Sequence, residues 1–251
     1  MAIQINLENK VAVVTGATRG IGKAIAIGLA EAGADIALIQ RSTDITVQEE
    51  IKGLGRNCEI IECDLSDLKR VREVIPEVKK KMESVDILIN CAGIQRRYPA
   101  VDFPEHEWDA VIDVNLKSVW ILCQEAGKIM TTQQRGKIIN VASLVSFQGG
   151  ILVPAYTAAK GAVGQLTKEL ANEWSSLGVN VNALVPGYFA TEMNTALIND
   201  PERSKQILDR IPAGRWGDPN DMKGAAVFLA SSLADYIHGH LLAVDGGWLA
   251  R

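Results

Sequence analysis

Residues 11–22 read VAVVTGATRGIG: a β-branched and small apolar run from Val11 to Thr15, then glycines at 16, 20 and 22. The run is apolar throughout rather than alternating, which is the pattern of a strand covered on both faces. Glycines just past a strand allow a tight turn into a helix. The helix amides at Gly20, Ile21 and Gly22, with Thr18 and Arg19 in the turn, then face an anion. The spacing is GxxxGxG rather than the GxGxxG of the standard dinucleotide fingerprint. Strand before and helix after still favour a nucleotide over a turn that only reverses the chain.

Outward from this stretch the same alternation recurs. Further apolar runs lie at Ile36 to Ile39, Glu59 to Glu62, Ile87 to Asn90, Ile138 to Val141, Val179 to Val185 and Leu241 to Val244. Between them Leu68, Val71, Ile75, Val78 and Met82 step at helical spacing behind Ser66, with Pro76 expected to kink or split that helix. Trp108, Val111, Ile112, Asn115, Val119 and Cys123 mark a second helical face with Pro104 in its first turn. Tyr156 to Leu177 makes a third helix, and Asp218-Pro219 opens a fourth. Strands alternating with helices predict an α/β fold. The expected form is a doubly wound, parallel, seven-stranded sheet in one domain spanning 1–251, with ligands at the carboxyl ends of the strands.

The composition narrows the function classes. The chain has 251 residues, 47% apolar and 22% charged, with a net charge of −4. That excludes disorder and argues against a nucleic-acid partner. No apolar run reaches the length of a membrane span, and MAIQINLENK does not read as a secretory signal. Cys58, Cys63, Cys91 and Cys123 lack CxxC spacing and read as free thiols of a cytoplasmic protein. His238-Gly239-His240 reads as a surface turn rather than a metal site, so no metal is expected.

Chemistry is therefore sought at the strand ends. After the second strand, where a ribose-binding carboxylate is expected, stand Gln40 and Arg41. With Arg19, Arg41 places guanidinium groups where a 2′-phosphate would sit, which favours NADP(H) and leaves NAD(H) as the alternative. Asp64 and Leu65 end the third strand, where a carboxylate can meet an adenine. Asn90, Cys91, Ala92 and Gly93 end the fourth, small enough for a flat ligand to lie against the backbone. Ser143 ends the fifth, and Tyr156 and Lys160 follow four residues apart on one helical face. A cation beside a phenol favours its phenolate, so Lys160 together with an oxidised nicotinamide is expected to pull Tyr156 down towards a usable base, with Ser143 orienting the substrate oxygen. Asn115 is expected to hold a water that relays protons to Lys160. A YxxxK pair alone arises by chance about 0.2 times in such a chain. Its place behind a strand-end serine and a glycine turn makes coincidence far rarer.

TGATRGIG, NCAG, Asn115, Ser143, YTAAK and Pro186-Gly187 together resemble the short-chain dehydrogenase/reductase family over essentially the whole chain. The resemblance implies a Rossmann-type sheet of order 3-2-1-4-5-6-7 and Asn115, Ser143, Tyr156 and Lys160 as a catalytic tetrad. It also implies that Pro186, Gly187, Phe189 and Thr191 line a nicotinamide, and that the protein is a homotetramer. GIQRR, ASLVSFQGG, DRIPAGRWGDP and the terminal AVDGGWLAR are similar to a narrower group within that family. That implies a sugar-acid substrate such as a 2-deoxygluconate or ketodeoxygluconate, and NAD for many of the group. The alternatives are a 3-oxoacyl-carrier-protein reductase or general carbonyl reductase, and a non-catalytic nucleotide sensor on the same fold, which a complete tetrad disfavours. Arg96 and Arg97 are expected to clamp a substrate carboxylate and Gln148 to read a hydroxyl. Tyr188 to Asp200 reads as a flexible lid. Trp216 and Trp248 read as core or interface anchors, with the chain end packed on a neighbouring subunit.

Overall fold

The computed structural model describes residues 4–251. Its centre is a seven-stranded sheet, all of whose pairings are parallel. The first half runs β1 (Val11–Thr15), α1 (Gly20–Glu31), β2 (Asp35–Gln40), α2 (Thr46–Gly53), β3 (Cys58–Glu62), α3 (Leu68–Met82) and β4 (Ile87–Asn90). The second half runs α4 (Glu105–Ile112), α5 (Ser118–Gln133), β5 (Gly136–Val141), α6 (Pro154–Trp174) and β6 (Val179–Pro186). It ends with α7 (Thr195–Ile198), α8 (Pro201–Arg210), α9 (Asp221–Ala230) and β7 (Leu241–Val244). The strand order is β3-β2-β1-β4-β5-β6-β7, the doubly wound order expected.

Two-faced burial explains the unbroken apolar strands. Along β1, Val11 and Val13 face one helical layer while Ala12 and Val14 face the other. β2 divides in the same way, Ala37 and Ile39 against Ile36 and Leu38. The first layer is built from α3, α5 and α6 through Val71, Ile75, Val119, Leu122 and Val163. The second is built from α1, α2 and α9 through Ile25, Leu29, Ile51, Met222 and Leu229. Each such fully buried aliphatic side chain contributes on the order of 1.5–3 kcal/mol.

Several local expectations are corrected. α3 is capped by Asp67, whose carboxylate accepts from the amides of Lys69 at 3.1 Å and Arg70 at 3.2 Å. Ser66 instead donates to Asp64. Pro76 does not split α3. The proline lies on the exposed face, where water replaces the lost hydrogen bond, while Val71, Val74, Ile75 and Val78 stay fully buried beneath it. The second helical stripe is not one α-helix: a π-helical turn at Asp113–Lys117 separates α4 from α5, closed by the Ser118 amide donating to the Asp113 carbonyl. Pro104 sits at the N-cap of α4 rather than inside its first turn. The expected bare lid is structured, with a 3₁₀ turn at Glu192–Asn194 leading into α7 and α8. Trp248 is only 4% exposed within its own chain, so its burial needs no neighbouring subunit.

At the switch point, β1 pairs with β2 on one side and with β4 on the other. The crevice above their carboxyl ends opens into a cleft of about 1260 Å³.

Candidate active site

The floor of the cleft is the glycine turn. Gly16 takes a φ of +67°, and a side chain there would come within 2.8 Å of the Ala92 backbone. At Gly22 an added Cβ would stand 2.2 Å from the Gly16 carbonyl oxygen. Both glycines are thus required for the turn to close and for its backbone to meet a ligand directly. Thr15 ties this turn to the end of β4: its hydroxyl accepts from the amides of Cys91 at 3.0 Å and Ala92 at 3.1 Å.

Gly16, Thr18, Arg19, Gly20, Ile21, Gly22, Arg41, Asp64, Leu65, Ala92 and Gly93 all line the cleft, as do Pro186, Gly187, Phe189 and Thr191. Asn90 does not. It is buried beneath the floor, donating to Asn140 Oδ1 at 2.9 Å and to Cys123 Sγ at 3.3 Å, and so braces β4 against β5. Gln40 is also buried, with its amide nitrogen donating to the Ser42 and Asp44 carbonyls at 2.8 Å each, while its Oε1 has no partner. It shapes the loop after β2 and leaves that rim without a carboxylate. Arg41 is exposed there. Arg19 forms an ion pair with Glu192 of the lid at 2.5 Å, across the mouth of the cleft. The Asp64 carboxylate accepts from Ser66, which holds its pKa below the usual carboxylate range.

The tetrad residues converge farther along the cleft. Ser143 continues from β5 in extended conformation. Tyr156 and Lys160 project from the first turns of α6, and the Lys160 ammonium lies 5.8 Å from the Tyr156 ring centroid. Lys160 is 3% exposed, and its Nζ donates to the Val141 carbonyl at 2.6 Å. Burial pushes its pKa down to about 8. In the chain alone burial raises the pKa of Tyr156, while a hydrogen bond to Ser143 and the charge of Arg97 pull the other way, so Lys160 by itself does not produce the expected depression.

Asn115 is fully buried in the π-helical turn. Its Oδ1 accepts from the Ile94 amide and its Nδ2 donates to the Ile94 carbonyl, both at 2.8 Å. Through these two bonds the side chain holds the β4 loop. The extra residue of the π-turn is what swings it there, a distortion common at functional sites. Sequence reading did not find Ser146. Its hydroxyl donates to the Lys160 carbonyl at 2.7 Å and accepts from the Ser143 amide at 3.3 Å, joining the segment after β5 to α6.

At the substrate end, Arg96, Arg97 and Gln148 line the cleft, but Arg96 is paired with Glu107 at 2.6 Å. The expected double clamp is reduced to Arg97, which is exposed and hydrogen-bonded to Gln95. Tyr188, Arg203, Arg210 and Trp248 also line this end; Arg203 and Trp248 were not expected to. Tyr188 sits 4.7 Å from Trp248 and 5.7 Å from Trp216, centroid to centroid. Arg203 carried no sequence signal, and Trp248 only its place in AVDGGWLAR. The His238 ring sits between Ser175 and Asn180. Among the described residues no cluster of His, Cys, Asp or Glu could hold a metal, and no helix is long and apolar enough to cross a membrane.

Comparison with known proteins gives a consistent picture. Residues 16–249 match a family model described as Enoyl-(Acyl carrier protein) reductase. A 2-dehydro-3-deoxy-D-gluconate 5-dehydrogenase of Pseudoalteromonas atlantica is 54% identical, over 100% of both chains. A protein of Agrobacterium tumefaciens solved with bound NADP is 48% identical with a TM-score of 0.94, covering 100% of both chains. A gluconate 5-dehydrogenase of Burkholderia cenocepacia, solved with NADP and tartrate, is 39% identical with a TM-score of 0.95, over 99% of this chain and 98% of that one. With such identities along its whole length, the chain belongs to the short-chain dehydrogenase/reductase family of oxidoreductases.

Proposed function

We propose that this protein is an NADP(H)-dependent dehydrogenase of a sugar acid, acting on the secondary alcohol of a 2-deoxygluconate or the ketone of a ketodeoxygluconate. The observation that carries the reading is the joining of two features in one cleft. Ser143, Tyr156 and Lys160 gather at one end of β5 and α6, and Arg97, Arg203 and Arg210, with no carboxylate partner among the described residues, line the same cleft. The names of the full-length relatives agree with it.

The residues suit the nicotinamide cofactor. The glycine turn leaves its backbone open to a pyrophosphate, and the rim after β2 offers Arg41 where a carboxylate would repel a 2′-phosphate. Arg19 is a second candidate once it leaves Glu192. A nicotinamide bound against Pro186 to Thr191 supplies or accepts the hydride. Ser143 donates a hydrogen bond to the substrate oxygen. Tyr156 gives that oxygen its proton in reduction and takes it in oxidation. Lys160 supplies positive charge beneath the phenol, and Asn115 keeps the β4 loop in place. The raised pKa of Tyr156 keeps it protonated near neutrality, which suits reduction.

Turnover of 2-deoxygluconate, ketodeoxygluconate and gluconate, compared with acetoacetyl thioesters and neutral ketones and run with both coenzymes, tests the proposal. Preferential turnover of thioesters would transfer the protein to fatty-acid chemistry. We further infer one domain over residues 1–251, a homotetramer and a cytoplasmic location. Exposed Trp108, Trp120 and Tyr236 support the assembly, and four unpaired cysteines support the reducing compartment. Sedimentation at 27.1 kDa would refute the tetramer.

A further inference from the structure

We propose that Arg210, seated on Trp248 and anchored to Gln148, receives the substrate carboxylate and sets the preference for acids over neutral polyols. This rests on the sugar-acid reading above and assigns its carboxylate end. Three segments far apart in the chain build the site. Arg210 ends α8, Gln148 follows the Ser143 turn, and Trp248 belongs to the terminal 3₁₀ turn. The guanidinium carbon lies 4.0 Å from the Trp248 ring centroid. Arg210 Nη2 donates to Gln148 Oε1 at 3.4 Å, and Trp248 Nε1 donates to the same oxygen at 3.3 Å.

That arrangement leaves specific groups over. A guanidinium lying over an indole ring keeps the N–H donors not given to Gln148 for a planar partner, and a carboxylate is the bidentate match. Gln148 Oε1 already accepts from two donors, so its amide nitrogen is left to donate to a second substrate oxygen. The charges narrow the choice. Arg96 is held by Glu107, Arg19 by Glu192 and Lys160 by the Val141 carbonyl, whereas Arg97, Arg203 and Arg210 have no carboxylate partner among the described residues, and of these three Arg210 is the one seated on an indole.

The seat is also fixed in advance. Asp245 accepts from the amides of Gly247 and Leu249 at 2.9 Å each, which shapes the terminal turn. Arg251 donates to the carbonyl of Asp209 at 3.1 Å, fastening the chain end to α8 next to Arg210. Trp248 is therefore placed by its own chain and presents Arg210 to the cleft that holds Ser143 and Tyr156.

The test measures kcat/KM of wild type, Arg210→Gln and Arg210→Lys for ketodeoxygluconate and for a neutral diketone. Gluconate binding to the NADP-loaded enzymes is measured alongside by calorimetry. The proposal expects the acid-over-neutral ratio to fall about 10- to 100-fold in Arg210→Gln, with gluconate affinity falling in step and Arg210→Lys restoring part of it. A ratio and an affinity within twofold of wild type would overturn it and leave the sugar-acid reading standing. If the wild type turns over no sugar acid while Arg210→Gln still weakens gluconate binding, the subsite stands and the sugar-acid reading falls. If gluconate neither binds nor reacts with the wild type, both fall. Trp248→Leu, which removes the seat but not the charge, is expected to lower gluconate affinity by a smaller factor than Arg210→Gln.

Discussion

Lys160 offers a test that needs no substrate. It is 3% exposed, and its pKa falls to about 8 from an ordinary 10.5 because burial penalises the ammonium. Below pH 8 the native and unfolded states both carry the proton, and the folded protein bears the full cost of a buried cation. Between pH 8 and 10.5 the unfolded chain keeps the proton while the native state releases it, so stability must rise with pH. Each pKa unit corresponds to about 1.4 kcal/mol, and between pH 7 and pH 10 the gain comes to about 2–3 kcal/mol. Lys160→Met preserves the length of the side chain and cannot titrate, so it lacks that gain. Urea unfolding of both proteins at pH 7, 8, 9 and 10, at one protein concentration, gives the difference directly; titrations elsewhere cancel in it. Wild type is expected to gain on the variant by that amount across the series. A difference constant within about 0.5 kcal/mol would show that Lys160 keeps its ordinary pKa and that its environment is far more polar than the structure indicates.

Other expectations follow from single contacts. Ser146→Ala removes the hydroxyl that joins the Lys160 carbonyl to the Ser143 amide. Two hydrogen bonds of about 1 kcal/mol each predict a kcat lowered roughly 10- to 30-fold with KM little changed, and Ser146→Thr should recover much of it. A matching rise in KM would show that Ser146 serves binding instead. Arg41→Gln should raise the KM for NADPH about tenfold or more and leave that for NADH unaltered; equal effects on both would remove Arg41 from the 2′-phosphate site. Gly22→Ala forces a Cβ to within 2.2 Å of the Gly16 carbonyl. Coenzyme titration should show at least about tenfold weaker binding, and thermal unfolding a loss of about 1–3 kcal/mol. Unchanged coenzyme affinity would show that the turn has room to spare.

The sequence by itself determined the sheet and the chemistry that repeats locally. Seven apolar runs were legible because a strand buried on both faces cannot hide its composition. The glycine turn and the Tyr156–Lys160 spacing were legible because short-range geometry alone sets them. Helix ends were less so: Asp67 and Ser66 are both good caps, and only the backbone path chose between them. Pro76 does not split α3 because it falls on the exposed face, opposite the buried stripe. What only the tertiary structure decided is which side chains are already engaged. Arg96 and Arg97 are neighbours in sequence, yet Glu107 neutralises one and not the other. Asn115 was found by its motif, but its role follows from a π-turn that no periodicity announces. Trp248 and Arg210 lie in separate segments, AVDGGWLAR and DRIPAGRWGDP, and neither pattern says that the two side chains meet. They meet because α8 and the terminal turn fold over the same strand ends, so the acid-reading end of the cleft arises from long-range packing, which local sequence pattern does not record.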